Sequence, residues 1–413
     1  MYIETIEAIE PIEKIETMLP RVKIDFENGA LGGVSPSEDG VVGLVAYATA
    51  VNTTFALDTP YLITKLAGLE ALGVTSEATG VNAALYKTVK EFYSEAPEGT
   101  KLWLMGVAAS TTIADLTDKD EGHISPLLLA ARGAINILML KLASAAEPTM
   151  SGSIDSAVLT AVTNLQALAE DWTENCYAPF MCLVEALSYS GVAASLPDLT
   201  TRSDNRVGVV LGDSVSGSAG AAVGLVAGRL AAEPVQRSLA RVRSGAMKAE
   251  TMYLGSVAAE LGDPDVAHDL GYIVPRTFVG KSGYYWGDDY LATGASDDYA
   301  TIPRRRTIDK AYRTAYKTLV DEIGEEVPVN AEGKLAAYHC KAVETAVESA
   351  IVNTMTSEGN LGNDPDDAND LGVTCYIDPE QNILATSRLE MSLKVKPYGY
   401  SKYIDVKLGF KTA

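Results

Sequence analysis

The residues of this sequence best suited to covalent chemistry are Ser214, Asp265 and His268. The apolar run Val209-Val210-Leu211 ends at Gly212-Asp213-Ser214, and a serine on a strand-to-loop turn can expose its hydroxyl as a nucleophile. Asp265-Val266-Ala267-His268 offers an imidazole as base and an acid to orient it. A second constellation is the acidic stretch Asn363-Asp364-Pro365-Asp366-Asp367-Ala368-Asn369-Asp370. An EF-hand needs Gly at the sixth position from Asp364 and Glu at the twelfth, where this chain has Asn369 and Cys375, so the stretch reads as a solvated turn. The Gly-rich run from Gly212 to Gly228 suggests a phosphate cradle, but neither Gly-Lys-Ser/Thr nor a dinucleotide spacing is present. Close packing of a small-residue helix explains it more simply. Cys176, Cys182, Cys340 and Cys375 contain no CxxC pair, and His123, His268 and His339 stand far apart. We therefore expect buried reduced thiols, polar loop histidines at His123 and His268, and neither metal nor cofactor.

The Gly-Asp-Ser block resembles the nucleophile block of GDSL-type serine hydrolases, which would give Ser214, Asp265 and His268 catalytic roles. The order of the segments departs from that family. About 210 residues precede the block, the interval from Ser214 to His268 is short, and Gly362-Asn363-Asp364 follows the histidine. The simpler expectation is that Asp213 and Ser214 end a strand and cap the next helix.

Charge narrows the partners. The 413 residues carry 55 acidic against 33 basic side chains, a net charge of −22, which argues against nucleic acid because phosphate binding needs a clustered basic face. Arg304-Arg305-Arg306 is the one dense basic run. It reads as a surface run or as an inter-subunit contact for acidic loops. No apolar run reaches the roughly 18 residues of a bilayer span, and the N-terminus lacks the order of a signal peptide, so membrane insertion is not expected and a cytosol is.

The elements that must position these residues fall into two patterns. Five Ile-Glu steps from Ile3 to Glu16 repeat every third residue, a period of neither helix nor strand, so residues 1–21 read as an arm. Val22, Ile24 and Phe26 alternate with charged residues as a half-buried strand does. Buried strands are predicted at 41–46, 102–105, 135–140 and 207–211, and helices after the Asp58-Thr59-Pro60 cap and over 154–170. This alternation predicts an α/β middle region, residues 22–212, with a largely parallel sheet. Residues 213–300 read as a helix and connecting loops. Residues 301–398 read as a C-terminal α+β domain with two helices, ending at Gly324 and near Ile351. Its strands are predicted at Leu371 to Ile377 and Leu389 to Val395, with a third, Ile404, Val406, Leu408 and Phe410, on the arm 399–413.

The C-terminal half also carries a resemblance. Gly220 to Arg229, with Val223-Gly224-Leu225-Val226-Ala227 at its centre and Pro234-Val235-Gln236-Arg237-Ser238 after it, resembles the small-residue helix and loop of contractile phage tail sheath proteins. The aspartate that this family carries after the helix is absent. Gly283-Tyr284-Tyr285-Trp286 and Asp297 to Ala311 look like the sheath passage where a loop bearing Trp and Asp meets an Arg-Arg helix start. The likeness spans about residues 205–413 and the strand near residue 24, not the middle, and is nearest the divergent sheath-like proteins of gut-type phages, prophages and phage-like injection systems.

That resemblance implies a multidomain sheath-like subunit with extended terminal arms and no enzymatic activity. Its partners would be further copies of itself in a helical polymer, an inner tail-tube protein, and baseplate and tail-terminator proteins. It would be assembled in a bacterial cytoplasm and reside in a virion tail or phage-like particle. The implied interface is strand exchange through Val22, Ile24, Phe26, Ile404, Val406, Leu408 and Phe410, with Arg304, Arg305 and Arg306 as added contacts. The alternatives are the serine hydrolase and a non-contractile tail-tube or shell protein.

Overall fold

The computed structural model describes residues 38–410, so the arm and the strand expected at Val22, Ile24 and Phe26 lie outside the described residues. The body is built on strands β1 (Val42–Ala48), β2 (Pro60–Ile63), β3 (Leu102–Ala108), β4 (Ile137–Lys141), β5 (Met181–Glu185) and β6 (Val207–Val210). They form one sheet in the order β2-β3-β1-β4-β5-β6. All neighbours are parallel except β2, which runs antiparallel to β3. The near-continuous apolar runs of β1, β4 and β5 follow from this, because a parallel sheet is covered on both faces.

Alternate residues of β1 serve opposite faces. Val42, Leu44 and Ala46 join one core cluster, while Val45 and Tyr47 join the other. The second cluster is covered by α2 (Ala157–Asn175), which supplies Val158, Val162, Leu165 and Trp172. The first is covered by α1 (Gly80–Glu95) and α3 (Val223–Ala232), through Leu85, Val89, Phe92, Val226 and Leu230. Each such side chain contributes about 1.5–3 kcal/mol by leaving water. The Gly-rich run does pack a helix: a Cβ on Gly224 would lie 2.3 Å from Thr88 O, and one on Gly228 2.4 Å from Phe92 O. No larger residue fits where the backbones of α1 and α3 meet.

Two local expectations are corrected. Pro60 opens an edge strand rather than a helix, since its fixed φ suits the first residue of either. Asp213 and Ser214 do not cap α3, whose N-cap is Ala222 with no side-chain hydrogen bond. Asp213 instead accepts from Lys87 Nζ (2.6 Å), Ser218 Oγ (2.7 Å) and Val215 N (3.1 Å).

The C-terminal part consists of α4 (Ile302–Leu319), α5 (Ala337–Ile351), β7 (Val373–Ile377) and β8 (Met391–Val395). β7 and β8 pair antiparallel with Cys375 opposite Leu393. The alternating residues of β7 are buried on the helices, Val373 beside Ala311 and Ile351, Cys375 beside Ala315 and Val347. The expected third strand is absent from this sheet: residues 401–410 form no ladder. Cys182, Cys340 and Cys375 are buried as expected, but Cys176 is exposed.

Candidate functional site

The two edges of the β7–β8 sheet are treated differently. On the outer edge of β7 the N–H groups of Cys375 and Ile377 donate to Glu348 Oε1 and Glu344 Oε1, each at 2.8 Å, so carboxylates of α5 close that edge. Along the outer edge of β8 no strand of the described residues is paired. Beside it lies an apolar groove of about 390 Å³, lined by Leu393 and Val395 of β8 and by Ile308, Ala311, Tyr312 and Ala315 of α4. An unpaired edge next to uncovered apolar surface is a template for another strand.

The chain that could supply that strand leads away from it. Beyond β8, the Tyr400 hydroxyl donates to Gln236 O. Lys402 Nζ donates to both oxygens of Asp288 (2.8 and 2.9 Å) and stands 4.4 Å from the centre of the Tyr290 ring. After this anchor Ile404, Val406, Leu408 and Phe410 are 79%, 77%, 96% and 104% exposed. Four large apolar residues at a spacing of two, uncovered in their own chain, are costly to leave in water.

The anchor is electrostatically tuned. Burial opposes the charge of Asp288, yet the hydrogen bonds from His268 and Lys402 outweigh it and hold its carboxyl at about 2. Burial, and then the Asp288 charge, pushes Asp289 up to about 7, although Ser238 Oγ and Leu239 N donate to it. The hydrogen bond to Asp288 raises the His268 imidazole above its ordinary value, against its burial.

The serine triad is not assembled. The Ser214 hydroxyl donates to Glu91 Oε1 at 2.6 Å, while the ring nitrogens of His268 face Asp269 (3.0 Å) and Asp288 (3.4 Å). Asp265 opens the short helix that carries His268, so that histidine is not in a loop as expected.

At the carboxyl ends of β4 and β5 the buried Lys141 pairs with the buried Glu185, which also accepts from the backbone N–H of Leu142 (2.9 Å) and Ala221 (2.8 Å). Among the described residues no group of three or more His, Cys, Asp or Glu could hold a metal, and no helix is long and apolar enough to cross a membrane. The acidic stretch folds on itself, with Asp370 accepting from Asp364 N, Gly372 N and Lys396 Nζ.

The arginine run is the main departure among the expected site residues. Arg305 is buried, donating to Asp309 Oδ1 at 2.6 Å over the ring of Tyr299. Arg306 is buried too and donates to the carbonyls of Asp39 and Glu233 (3.3 Å each), and burial lowers its guanidinium to about 10. Neither can form the expected surface run; Arg304 alone is partly exposed. Their acceptors lie one turn on or in distant segments, which a local reading of three basic residues does not reveal. The capping glutamates Glu344 and Glu348 were missed as well, although their i, i+4 spacing on one helix face was a signal.

Family models described as the DUF2586 N-terminal domain and the DUF2586 C-terminal domain match residues 19–290 and 298–413. No curated protein matches the chain. Among solved structures, a chain of the six-fold symmetrised anti-feeding prophage baseplate is similar at TM-score 0.57 and 16% identity, covering 96% of this chain and all of that one. A chain of the PVC extracellular contractile injection system, from its sheath complex in the contracted state, is similar at TM-score 0.57 and 14% identity, over 96% and 98% of the two chains. The anti-feeding prophage baseplate in its contracted state gives TM-score 0.56 at 16% identity. The chain shares the fold of these three neighbours, one of them from a contractile sheath complex, over 96% of its length.

Proposed function

The chain belongs to the DUF2586 family, and from that premise and the sheath fold we propose that it is the subunit of a contractile sheath whose copies are linked by exchanged strands. The reading is carried by the open edge of β8, with its apolar groove, in a chain whose own alternating Ile404 to Phe410 segment runs elsewhere uncovered. Added beside β8 in a neighbouring copy, that segment would gain a main-chain ladder and lay alternate apolar side chains on α4. The segment at Val22, Ile24 and Phe26 would add a further strand.

A contact of this kind is heterologous, since donor and acceptor surfaces differ, and repeated without closure it generates a helix. Contraction then needs no nucleotide. The extended polymer is a metastable packing, and subunits turn into a lower-energy one while the strand links act as hinges, with Lys402 on Asp288 marking where the donated arm leaves its own body. An inner tube would lie within the polymer, and baseplate and terminator proteins at its ends.

Deleting residues 404–413 tests this. The truncated chain is expected to remain a folded monomer with an unchanged thermal midpoint, because the side chains of residues 404–410 are exposed, and to form no tubes in electron micrographs. Long tubes from the truncated protein would sink the exchange model.

A further inference from the structure

We propose that the cleft between the leading ends of β1 and β4 and helix α4 receives the glutamate-rich leader, residues 1–20, of a second copy; the inference rests on the polymer reading above. The cleft measures about 870 Å³, and its lining includes Lys101, Arg132, Lys310, Arg313 and Lys317. Its acids are Asp39 and Glu358, and both pair with Lys310 Nζ, at 2.6 and 2.8 Å. Arg313 forms the floor, donating to the carbonyls of Gly133, Ile135 and Pro179. Lys101, Arg132 and Lys317 are exposed and have no ion-pair partner among the described residues. A chain of net charge −22 thus gathers unneutralised cations in one concavity.

Charge selects the occupant. Residues 1–20 hold five glutamates, Glu4, Glu7, Glu10, Glu13 and Glu16, against the single Lys14. The other terminal segment, residues 397–413, holds three lysines against one aspartate, and the cleft would repel it. Copies of so acidic a chain also repel one another, and seating the most acidic segment of one in the basic cleft of the next offsets that cost at the contact itself. Tyr177 and Tyr316, stacked at 4.7 Å, separate the cleft from the apolar groove beside β8 and offer the leader's isoleucines an apolar wall.

The test uses the full chain, isotope-labelled and unlabelled copies being mixed, assembled and joined with a carbodiimide, which links carboxylates to amines. Mass spectrometry is expected to find labelled-to-unlabelled links from leader glutamates to Lys101 or Lys317. The variant K101E/R132E/K317E is expected to lose these links and to need roughly tenfold more protein to assemble at low salt. Reversing the five leader glutamates to lysine in that variant is expected to restore assembly. Links confined within one chain, links only to other lysines, no links, or assembly of the variant like the parent would each overturn the proposal. Tubes that vanish on deleting 404–413 while leader links are absent would leave strand exchange standing and remove this site. Tubes and leader links that both survive the deletion would do the reverse.

Discussion

The six-stranded body sheet and the two-stranded C-terminal sheet differ in how they end. In the body, β2 is a four-residue edge strand opened by a proline, and β6 is covered by the segment around Ile273, whose N–H donates to Val209 O while its carbonyl accepts from Leu211 N. The C-terminal sheet closes β7 with two glutamates, while β8, beside an apolar groove, pairs on its outer edge with no strand of the described residues. Among the described residues the body sheet has both edges finished and the C-terminal sheet has one. Changes in the body should therefore cost stability, and changes around β8 and the arm should cost assembly.

The largest effect on the body is expected at Lys141. Replacing it by methionine strands the Glu185 carboxylate, whose side chain is 1% exposed, without its countercharge. The variant should lose about 3–5 kcal/mol in denaturant unfolding, and adding Glu185→Leu should recover much of it. An unchanged unfolding midpoint in the single variant would mean that water reaches Glu185 and that the body is less closed there. Next comes Gly228→Val. Its Cβ would lie 2.4 Å from Phe92 O, a backbone atom that cannot swing aside, so the expected loss is about 1–3 kcal/mol. A variant as stable as the parent would show that α1 and α3 separate easily.

The same contrast governs what could be read from the sequence. The parallel strands were legible because burial on both faces leaves an apolar run, and α4 and α5 because one face is apolar. Features fixed by distant partners were not. Lys141 and Glu185 end two apolar strands, and only the strand order makes them neighbours. Arg306 looked like surface charge because the carbonyls of Asp39 and Glu233 that hold it are set by packing, whereas the partner of Arg305, Asp309, lies one turn along the same helix. The Ile404 to Phe410 alternation predicts a strand, but the segment is exposed and forms no ladder among the described residues. Pro60 failed for a local reason, since one φ value serves both a helix start and a strand start.

The smallest expected effect lies at the junction of the two regions, where Lys402 ties the arm to Asp288. Lys402→Ala removes two charge-assisted hydrogen bonds at a partly exposed site, so amide exchange over residues 398–404 should quicken roughly tenfold while global stability barely moves. Its pH dependence carries a sign. Asp288, held at about 2, gives stability that is present above the ordinary carboxylate value of about 3.9 and is lost as pH falls toward 2. His268 and Asp289 are both raised, so their contributions are complete below their ordinary values and fade as pH rises, for Asp289 through about 7. Protection of residues 398–404, corrected for intrinsic exchange, should therefore be greatest near pH 4 and decline as pH rises toward 8. A flat profile between pH 5 and 8.5 would show that the anchor does not depend on this cluster, and that the arm is held by Tyr400 on Gln236 instead.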